Sequence, residues 1–189
     1  ELATILGTWQ AAVTNFSYLR PEWKKNIEKE ALLGTCLTGF YDHEILSQDT
    51  PECARWLREL RDHAIVVNKH YAATLGINAA TSVTSVKPAG NSGELYDTAS
   101  GIHPRRAPYY IRRIRQAEHE PMTAFLAACG FPMEVDSQKA ANRVFSFPIK
   151  SPAHAVCVPQ LNALAQLKHW LLVKKNWATH TVSCTINIG

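Results

Sequence analysis

Apolar residues recur at intervals of three and four along much of the chain, which is the spacing of amphipathic helices. Asp49 or Thr50 caps the clearest of these helices, because Pro51 follows in the first turn. Gly76 ends the same helix, since glycine readily takes the left-handed conformation of a helix terminus. The pattern predicts helices over 2–16, from 21 onward, over 50–75, 121–129 and 159–177, the last with Leu161, Leu164, Leu167, Leu171 and Leu172 facing inward.

Short runs rich in β-branched residues separate the predicted helices, and glycine or proline bounds several of them. The segment 81–86, with alternating threonine, serine and valine residues, is the clearest of these runs. Long helices that alternate with strands are typical of an α/β fold with largely parallel strands. The pattern predicts strands over 32–39, 81–86, 109–114, 143–149 and 181–186.

The composition is that of an ordinary globular protein, with 46% hydrophobic and 19% charged residues. The 189 residues are enough for one hydrophobic core, and two small domains are the alternative. No apolar run of about 18 residues exists and no secretory signal opens the chain, so we expect no membrane segment. The chain begins at Glu1 in mid-pattern and ends in a strand-like stretch, so we expect a piece of a longer protein.

The cysteines are odd in number and widely spaced, without a Cys-x-x-Cys pair or zinc-finger spacing. We therefore expect no disulfide framework, a reducing and cytoplasmic location, and no metal site. His63 and His70 lie on one predicted helix, but no third metal ligand accompanies them. Each cysteine stands in an apolar context and is interpreted as a small buried hydrophobe: Cys36, Cys53, Cys129, Cys157 and Cys184.

A loop of small residues follows the predicted strand 81–86, running from Pro88 to Gly93. If Asn91 or Ser92 caps the next helix, unpaired backbone N–H groups point out of the loop at the positive helix end. Small side chains let an anion such as phosphate approach these groups closely. The alternative is an ordinary capped turn, because the loop has neither the Walker A nor the Gly-x-Gly-x-x-Gly pattern.

Positive charge is concentrated in residues 100–115, which contain five arginines, two tyrosines and no acidic residue. The net charge of the whole chain is only +4. Arginine beside aromatic residues suits contacts to phosphates or bases. The alternative is structural, with these arginines paired to carboxylates elsewhere in the chain.

Several long motifs occur together in a fixed order. They are Leu33 to His43 (LGTCLTGFYDH), Ser85 to Ser92 (SVKPAGNS), Thr98 to Arg105 (TASGIHPR) and Ala107 to Arg112 (APYYIR). Val144 to Lys150 and Val182 to Asn187 continue the series. The combination closely resembles the late catalytic-barrel segment of adenosylcobalamin-dependent (class II) ribonucleotide reductases. Motifs of this length are far more specific than a short glycine pattern.

The resemblance implies a ten-stranded α/β barrel, built from two antiparallel halves of parallel strands, of the type shared by ribonucleotide reductases and glycyl-radical enzymes. Residues 1–189 would form the C-terminal portion of that barrel. In this family the loop that matches 88–92 binds the substrate phosphates through backbone amides. Ala89 replaces the serine of the usual Pro-Ser-Gly, which removes one hydroxyl contact. The implied substrate contacts are Pro88, Ala89, Gly90, Asn91 and Ser92, with Arg105 and Arg106 as further anion contacts.

The resemblance further implies reduction of ribonucleoside triphosphates, or diphosphates, to deoxyribonucleotides with adenosylcobalamin as cofactor. The family's radical cysteine lies in an Asn-x-Cys-x-Glu loop, and no such loop occurs here. We therefore assign no catalytic residue to this segment and expect it to be inactive alone. The expected partners are a ribonucleotide and the N-terminal part of the barrel, in the same chain or a separate one.

A function of another class stays open at this point. The chain could be a stand-alone nucleotide- or nucleic-acid-binding α/β module that uses the 105–115 arginines, although the reductase resemblance predicts neither a nucleic-acid nor a membrane partner. Steep loss of nucleic-acid affinity with salt would favour this module.

Overall fold

The computed structural model describes residues 1–188, apart from the side chains of residues 91 and 94. Two compact units divide the chain: Glu1–Arg105 with His154–Gly189, and Arg106–Ala153. The described helices are α1 (Leu2–Ala11), α2 (Pro21–Glu30), α3 (Pro51–Leu75), α4 (Gly90–Leu95), α5 (Pro121–Ala128) and α6 (Ala163–Asn176). The strands are β1 (Thr35–Cys36), β2 (Thr84–Ser85), β3 (Tyr109–Ala117), β4 (Met133–Val135) and β5 (Asn142–Lys150).

The sheet of the first unit is parallel, as predicted, but much shorter than the sequence pattern indicates. Strands β1 and β2 pair in parallel, and Val182 extends this arrangement through a single parallel bridge to Val86. The predicted strand 181–186 is therefore wrong beyond that bridge. Before that bridge, the Thr179 hydroxyl accepts the backbone N–H groups of Val83 and Thr84, each at 2.9 Å. A side chain thus takes two donors that a regular ladder would use.

Helix α3 confirms the prediction made from its end signals. The Thr50 side chain accepts the backbone N–H of Cys53, and Gly76 has the left-handed conformation with φ 68°. Together with α6, this helix covers the main core of the first unit, which includes Phe40, Leu57, Val86, Val173 and Val182. Phe40 belongs to a short 3-10 helix, Phe40–Asp42.

The predicted inward face of α6 is largely wrong. Three of the five leucines are exposed: Leu164, Leu167 and Leu171. His169 is buried instead, with Nε2 donating to the Leu46 carbonyl at 2.8 Å and Nδ1 accepting the Tyr41 hydroxyl at 2.9 Å. Burial lowers the pKa of His169 and raises the pKa of Tyr41 to about 12. Both groups are therefore neutral near pH 7, and their hydrogen bonds make burial of this polar face favourable.

Helix α1 shows the same reversal and ends earlier than predicted, at Ala11 rather than near residue 16. Its buried residues are Thr4 and Thr8, and the Thr8 hydroxyl accepts the Asn68 amide at 3.0 Å. Asn68 is itself buried in α3, so the two helices are joined by a polar contact. The apolar side of α1 is left exposed, at Leu2, Leu6 and Trp9.

The second unit corrects the prediction of largely parallel strands. Its sheet has the order β3-β5-β4, and both pairings are antiparallel. The short link over 136–141 permits this direct reversal between β4 and β5, whereas a parallel crossover needs a longer connection. Helix α5 is present as predicted, and Gly130 follows it with φ 76°. The sequence pattern does not predict strand β4.

The cysteine prediction holds for two of five residues. Cys53 and Cys157 are buried, but Cys36, Cys129 and Cys184 are exposed. All five are free thiols.

Among residues 1–188, no helix is both long and apolar enough to cross a membrane.

Gly101 lies where residues 97–105 pass close to the end of β2. Its φ is +54°, and a Cβ at this position would lie 2.9 Å from the Lys87 carbonyl oxygen. Gly76 has a similar φ of +68°, but a Cβ there would meet nothing within 4 Å. A side chain at Gly76 therefore introduces backbone strain alone, whereas a side chain at Gly101 adds steric overlap with Lys87.

We predict that Gly76→Ala lowers the free energy of unfolding by roughly 1–2 kcal/mol, the usual cost of left-handed backbone for a residue with a Cβ. Gly101→Ala should lower it further, by roughly 1–3 kcal/mol of overpacking. Chemical denaturation of both variants measures the difference. Equal losses would contradict the close approach of Gly101 to Lys87.

Candidate functional site

The loop from Pro88 to Ser92 follows β2 and includes the first turn of helix α4. The helix begins at Gly90, so Asn91 and Ser92 lie in its first turn and neither caps it, which corrects the predicted cap. The Gly93 N–H donates to the Ala89 carbonyl at 3.2 Å, which makes Ala89 the residue that precedes the helix. N–H groups of a first helical turn have no partner within the helix. The loop therefore presents the amides of residues 90–92, while the Asn91 side chain lies outside the described residues.

Hydrogen bonds hold this loop at both ends. The Ala89 N–H donates to the Ser100 hydroxyl at 2.8 Å, and the Lys87 N–H donates to Cys36 Sγ at 3.1 Å. The Thr98 N–H donates to the Gly93 carbonyl at 2.8 Å. Gly90 is exposed, and a Cβ there would meet nothing within 4 Å. The backbone is thus tethered while its outer side stays open.

A buried ion pair lies under the segment that carries the loop. Arg105 Nη2 lies 2.9 Å from Asp42 Oδ2, with the two side chains 6% and 13% exposed. Arg105 Nε donates to Asp42 Oδ1 at 3.0 Å, so the contact is bidentate. The same guanidinium donates to the Asp97 carbonyl at 2.6 Å. Asp97 is one of two described non-glycine residues with positive φ, at 48°. Arg105 therefore holds the chain just after α4 in a strained conformation.

Side chains of residues 38–42 also bind the backbone of residues 97–105. The Thr38 hydroxyl donates to the Ala99 carbonyl at 3.0 Å and accepts the Gly101 N–H at 2.8 Å. Asp42 Oδ2 accepts the Ala99 N–H at 2.6 Å. Hydrogen bonds thus join two motifs that are far apart in sequence, LTGFYD and TASGIHPR.

His103 connects these joined motifs to the 182–187 segment. Its Nε2 accepts the Thr185 N–H at 2.9 Å, so Nδ1 carries the proton and donates to the Ser100 carbonyl at 2.8 Å. Ser100 in turn holds Ala89 of the loop. Sequence reasoning assigned no role to Asp42, Ser100 or His103. All three fall inside the recognised motifs, and that position is the signal that could have found them.

The structure separates the two arginines proposed as anion contacts. Arg105 is buried and bound by Asp42 and Asp97, so its guanidinium is turned toward protein carboxylates rather than presented to a ligand. Arg106 begins the second unit and is exposed. The structural interpretation of the arginine cluster is confirmed for Arg105, and also for Arg113 and Arg115, which pair with Glu134 and Asp136.

Asp136 is stabilised as a carboxylate within the second unit. The Gln138 backbone N–H lowers the pKa of Asp136, and Arg115 acts in the same direction against desolvation.

Within the described part of the chain, no cluster of three His, Cys, Asp or Glu side chains could hold a metal ion.

We predict that Asp42→Asn lowers the free energy of unfolding by about 3–5 kcal/mol, because Arg105 is left as a buried charge with a neutral partner. Glu59→Gln is the matched control, since Glu59 and Arg55 form an exposed pair at 3.0 Å. This control should cost at most about 1 kcal/mol. Chemical denaturation at neutral pH measures both, and a loss for Asp42→Asn no larger than the control would contradict the structural role of the pair.

No protein-family model matches the chain, but individual proteins do. The adenosylcobalamin-dependent ribonucleoside-triphosphate reductase of Lactobacillus leichmannii is 26% identical over 162 residues, which are 79% of this chain and 22% of that enzyme. The reductase of the same name from Lacticaseibacillus paracasei is 28% identical over 141 residues, 72% of this chain and 19% of that enzyme. The chain thus spans about a fifth of the length of these curated relatives.

A solved structure gives the same result for the fold. A crystal structure of a B12-dependent (class II) ribonucleotide reductase matches with a TM-score of 0.80 and 22% identity, covering 97% of this chain and 30% of that one. The match shows a shared α/β fold over nearly the whole chain. The resemblance inferred from the motifs is confirmed: this chain is similar to a segment of adenosylcobalamin-dependent ribonucleoside-triphosphate reductases.

Proposed function

We propose that this chain is the substrate-phosphate-binding segment of an adenosylcobalamin-dependent ribonucleotide reductase. Residues 1–189 would be the C-terminal portion of its ten-stranded α/β barrel. The observation that carries the proposal is the tethered loop 88–92, which lies inside a motif shared with that family and presents the backbone amides of a helix start. The names of the relatives favour ribonucleoside triphosphates as substrates.

The loop suits phosphate for three reasons. Its first-turn N–H groups are hydrogen-bond donors that have no acceptor within the helix. Gly90 carries no side chain to block approach to these donors, and Ala89 keeps only a methyl group. Ser92 is exposed and adds a hydroxyl. Helix α4 is only six residues long, so the individual amides, rather than a long helix dipole, would provide most of the attraction.

The role of this segment in the reaction is to bind and orient the nucleotide. Adenosylcobalamin supplies the radical chemistry when it is bound to the complete enzyme. We assign no cobalamin contact to the described residues. The radical cysteine and its carboxylate would come from the rest of the barrel, since these 189 residues contain no Asn-x-Cys-x-Glu loop.

The exposed apolar faces support the rest of the enzyme as partner, in the same or a separate chain. On α6 the exposed leucines recur at helical spacing, and α1 carries a similar stripe beginning at Leu2. Stripes of this kind on soluble domains are typical of surfaces that other protein covers. The alternative of a nucleic-acid-binding module loses support, because Arg105, Arg113 and Arg115 are bound to carboxylates.

The proposal is tested with the full-length protein that contains this segment. With adenosylcobalamin, a dithiol reductant and a ribonucleoside triphosphate, we expect formation of the corresponding deoxyribonucleotide. The reaction should stop when adenosylcobalamin is omitted, and residues 1–189 alone should give no product. Absence of product from the full-length protein with all components would reject the function.

We predict that Gly90→Val in the full-length reductase raises the substrate KM by roughly tenfold while kcat changes little, because the side chain obstructs approach to the amides in ground and transition state alike. The empty space around a Cβ at Gly90 means that the fold tolerates the change. Gly90→Ala should have a smaller effect in the same direction. Unchanged KM values for both variants would remove the loop from the substrate site.

A further inference from the structure

Lys87 is the last residue before the loop and was not among the proposed substrate contacts. Its backbone is fixed by the Cys36 thiol, which accepts the Lys87 N–H at 3.1 Å. Its side chain crosses to the 182–187 segment, where Nζ donates to the Ser183 hydroxyl at 2.8 Å. The residue is exposed. The hydrogen bond to Ser183 therefore holds an exposed ammonium at a defined position.

The charge of Lys87 has no carboxylate partner among the side chains that the structure describes. In contrast, Arg105, Arg113 and Arg115 each pair with an aspartate or glutamate. A lysine that binds only a neutral hydroxyl keeps its full positive charge available to an incoming anion. This is the local charge pattern of an anion contact rather than of a structural ion pair.

Lys87 also lines a groove of about 280 Å³, together with Leu33, Gly34, Ser85, His180 and Thr181. Sites that hold a whole drug-sized ligand are typically about 300–1,000 Å³. The groove thus has room for part of a nucleotide. Ser85 and Thr181, which also line the groove, carry hydroxyl groups, so the lining is suited to a polar group.

Ser183 complements Lys87 chemically. A serine hydroxyl has one O–H and two lone pairs. Because the Ser183 oxygen accepts from the ammonium, its own O–H can donate to the same anion that the ammonium attracts. The pair thus offers a charged donor and a neutral donor side by side, the charged one on the residue that directly precedes the loop.

We propose that Lys87, oriented by Ser183, is a second anion-binding element of the substrate site, and that its ammonium contacts a phosphate group of the nucleotide held by residues 88–92. This inference rests on the proposed function and extends its phosphate site from the loop to the neighbouring strand end. Charge-assisted contacts of this kind are short and strong. Loss of the ammonium should therefore weaken phosphate binding by roughly tenfold or more.

The test uses the full-length reductase with Lys87→Gln, Lys87→Arg and the control Lys69→Gln. Lys69 is an exposed lysine on α3, so the control removes the same charge from the protein elsewhere. Two quantities are measured for each variant: KM and kcat for a ribonucleoside triphosphate, and the inhibition constant of inorganic tripolyphosphate. The second reports phosphate binding without requiring turnover of the inhibitor.

We expect Lys87→Gln to raise both KM and the tripolyphosphate inhibition constant about tenfold with kcat nearly unchanged, Lys87→Arg to restore much of the loss, and Lys69→Gln to match wild type. An unchanged inhibition constant in Lys87→Gln, or a fall in kcat alone, would overturn the proposal while leaving the reductase function intact. If the wild-type protein reduces no nucleotide, the proposed function fails, and direct binding of tripolyphosphate by calorimetry then decides the Lys87 proposal: equal affinities of wild type and Lys87→Gln reject it.

Discussion

The buried ion pair between Asp42 and Arg105 is the interaction on which the candidate site depends. A buried pair of this kind is costly to form and more costly to break, because removal of one partner leaves an unpaired charge away from water. Here both charges are fully used. Asp42 binds the Ala99 amide in addition to Arg105, and Arg105 binds the backbone carbonyl of Asp97. The pair therefore does more than link two side chains, because it also fixes the path of the backbone directly after α4.

The constraint passes from this pair to the loop through short contacts. Gly101 lies against the Lys87 carbonyl, where only glycine fits, and the Ser100 hydroxyl accepts the Ala89 amide. His103 then connects the same segment to Thr185. A loop that binds phosphate through backbone amides needs those amides in place before the ligand arrives, because ordering them on binding would cost affinity. The contacts of Ser100 and Gly101 hold the backbone at the start of the loop, while the outer side of Gly90 stays open.

Sequence reasoning succeeded where the determinants are local. The Thr50 cap, the Gly76 terminus and the small-residue loop are each encoded within a few residues, and the structure contains all three elements. It failed where distant residues decide. The leucines of α6 predicted the helix but not its buried face, because His169 is buried through partners on another segment. Asp42, the partner that binds Arg105 through both carboxylate oxygens, lies 63 residues away, so charge clustering alone suggested a ligand contact where the structure has a salt bridge.

We propose that this segment binds the nucleotide phosphates and that the remainder of a larger enzyme performs the radical chemistry. A structure of the full-length protein with a bound ribonucleoside triphosphate tests this picture most directly. We predict phosphate oxygens within hydrogen-bonding distance of the backbone N–H groups of residues 90–92, with the Asp42–Arg105 pair intact. Phosphates bound elsewhere, with no ligand atom near this loop, would contradict it.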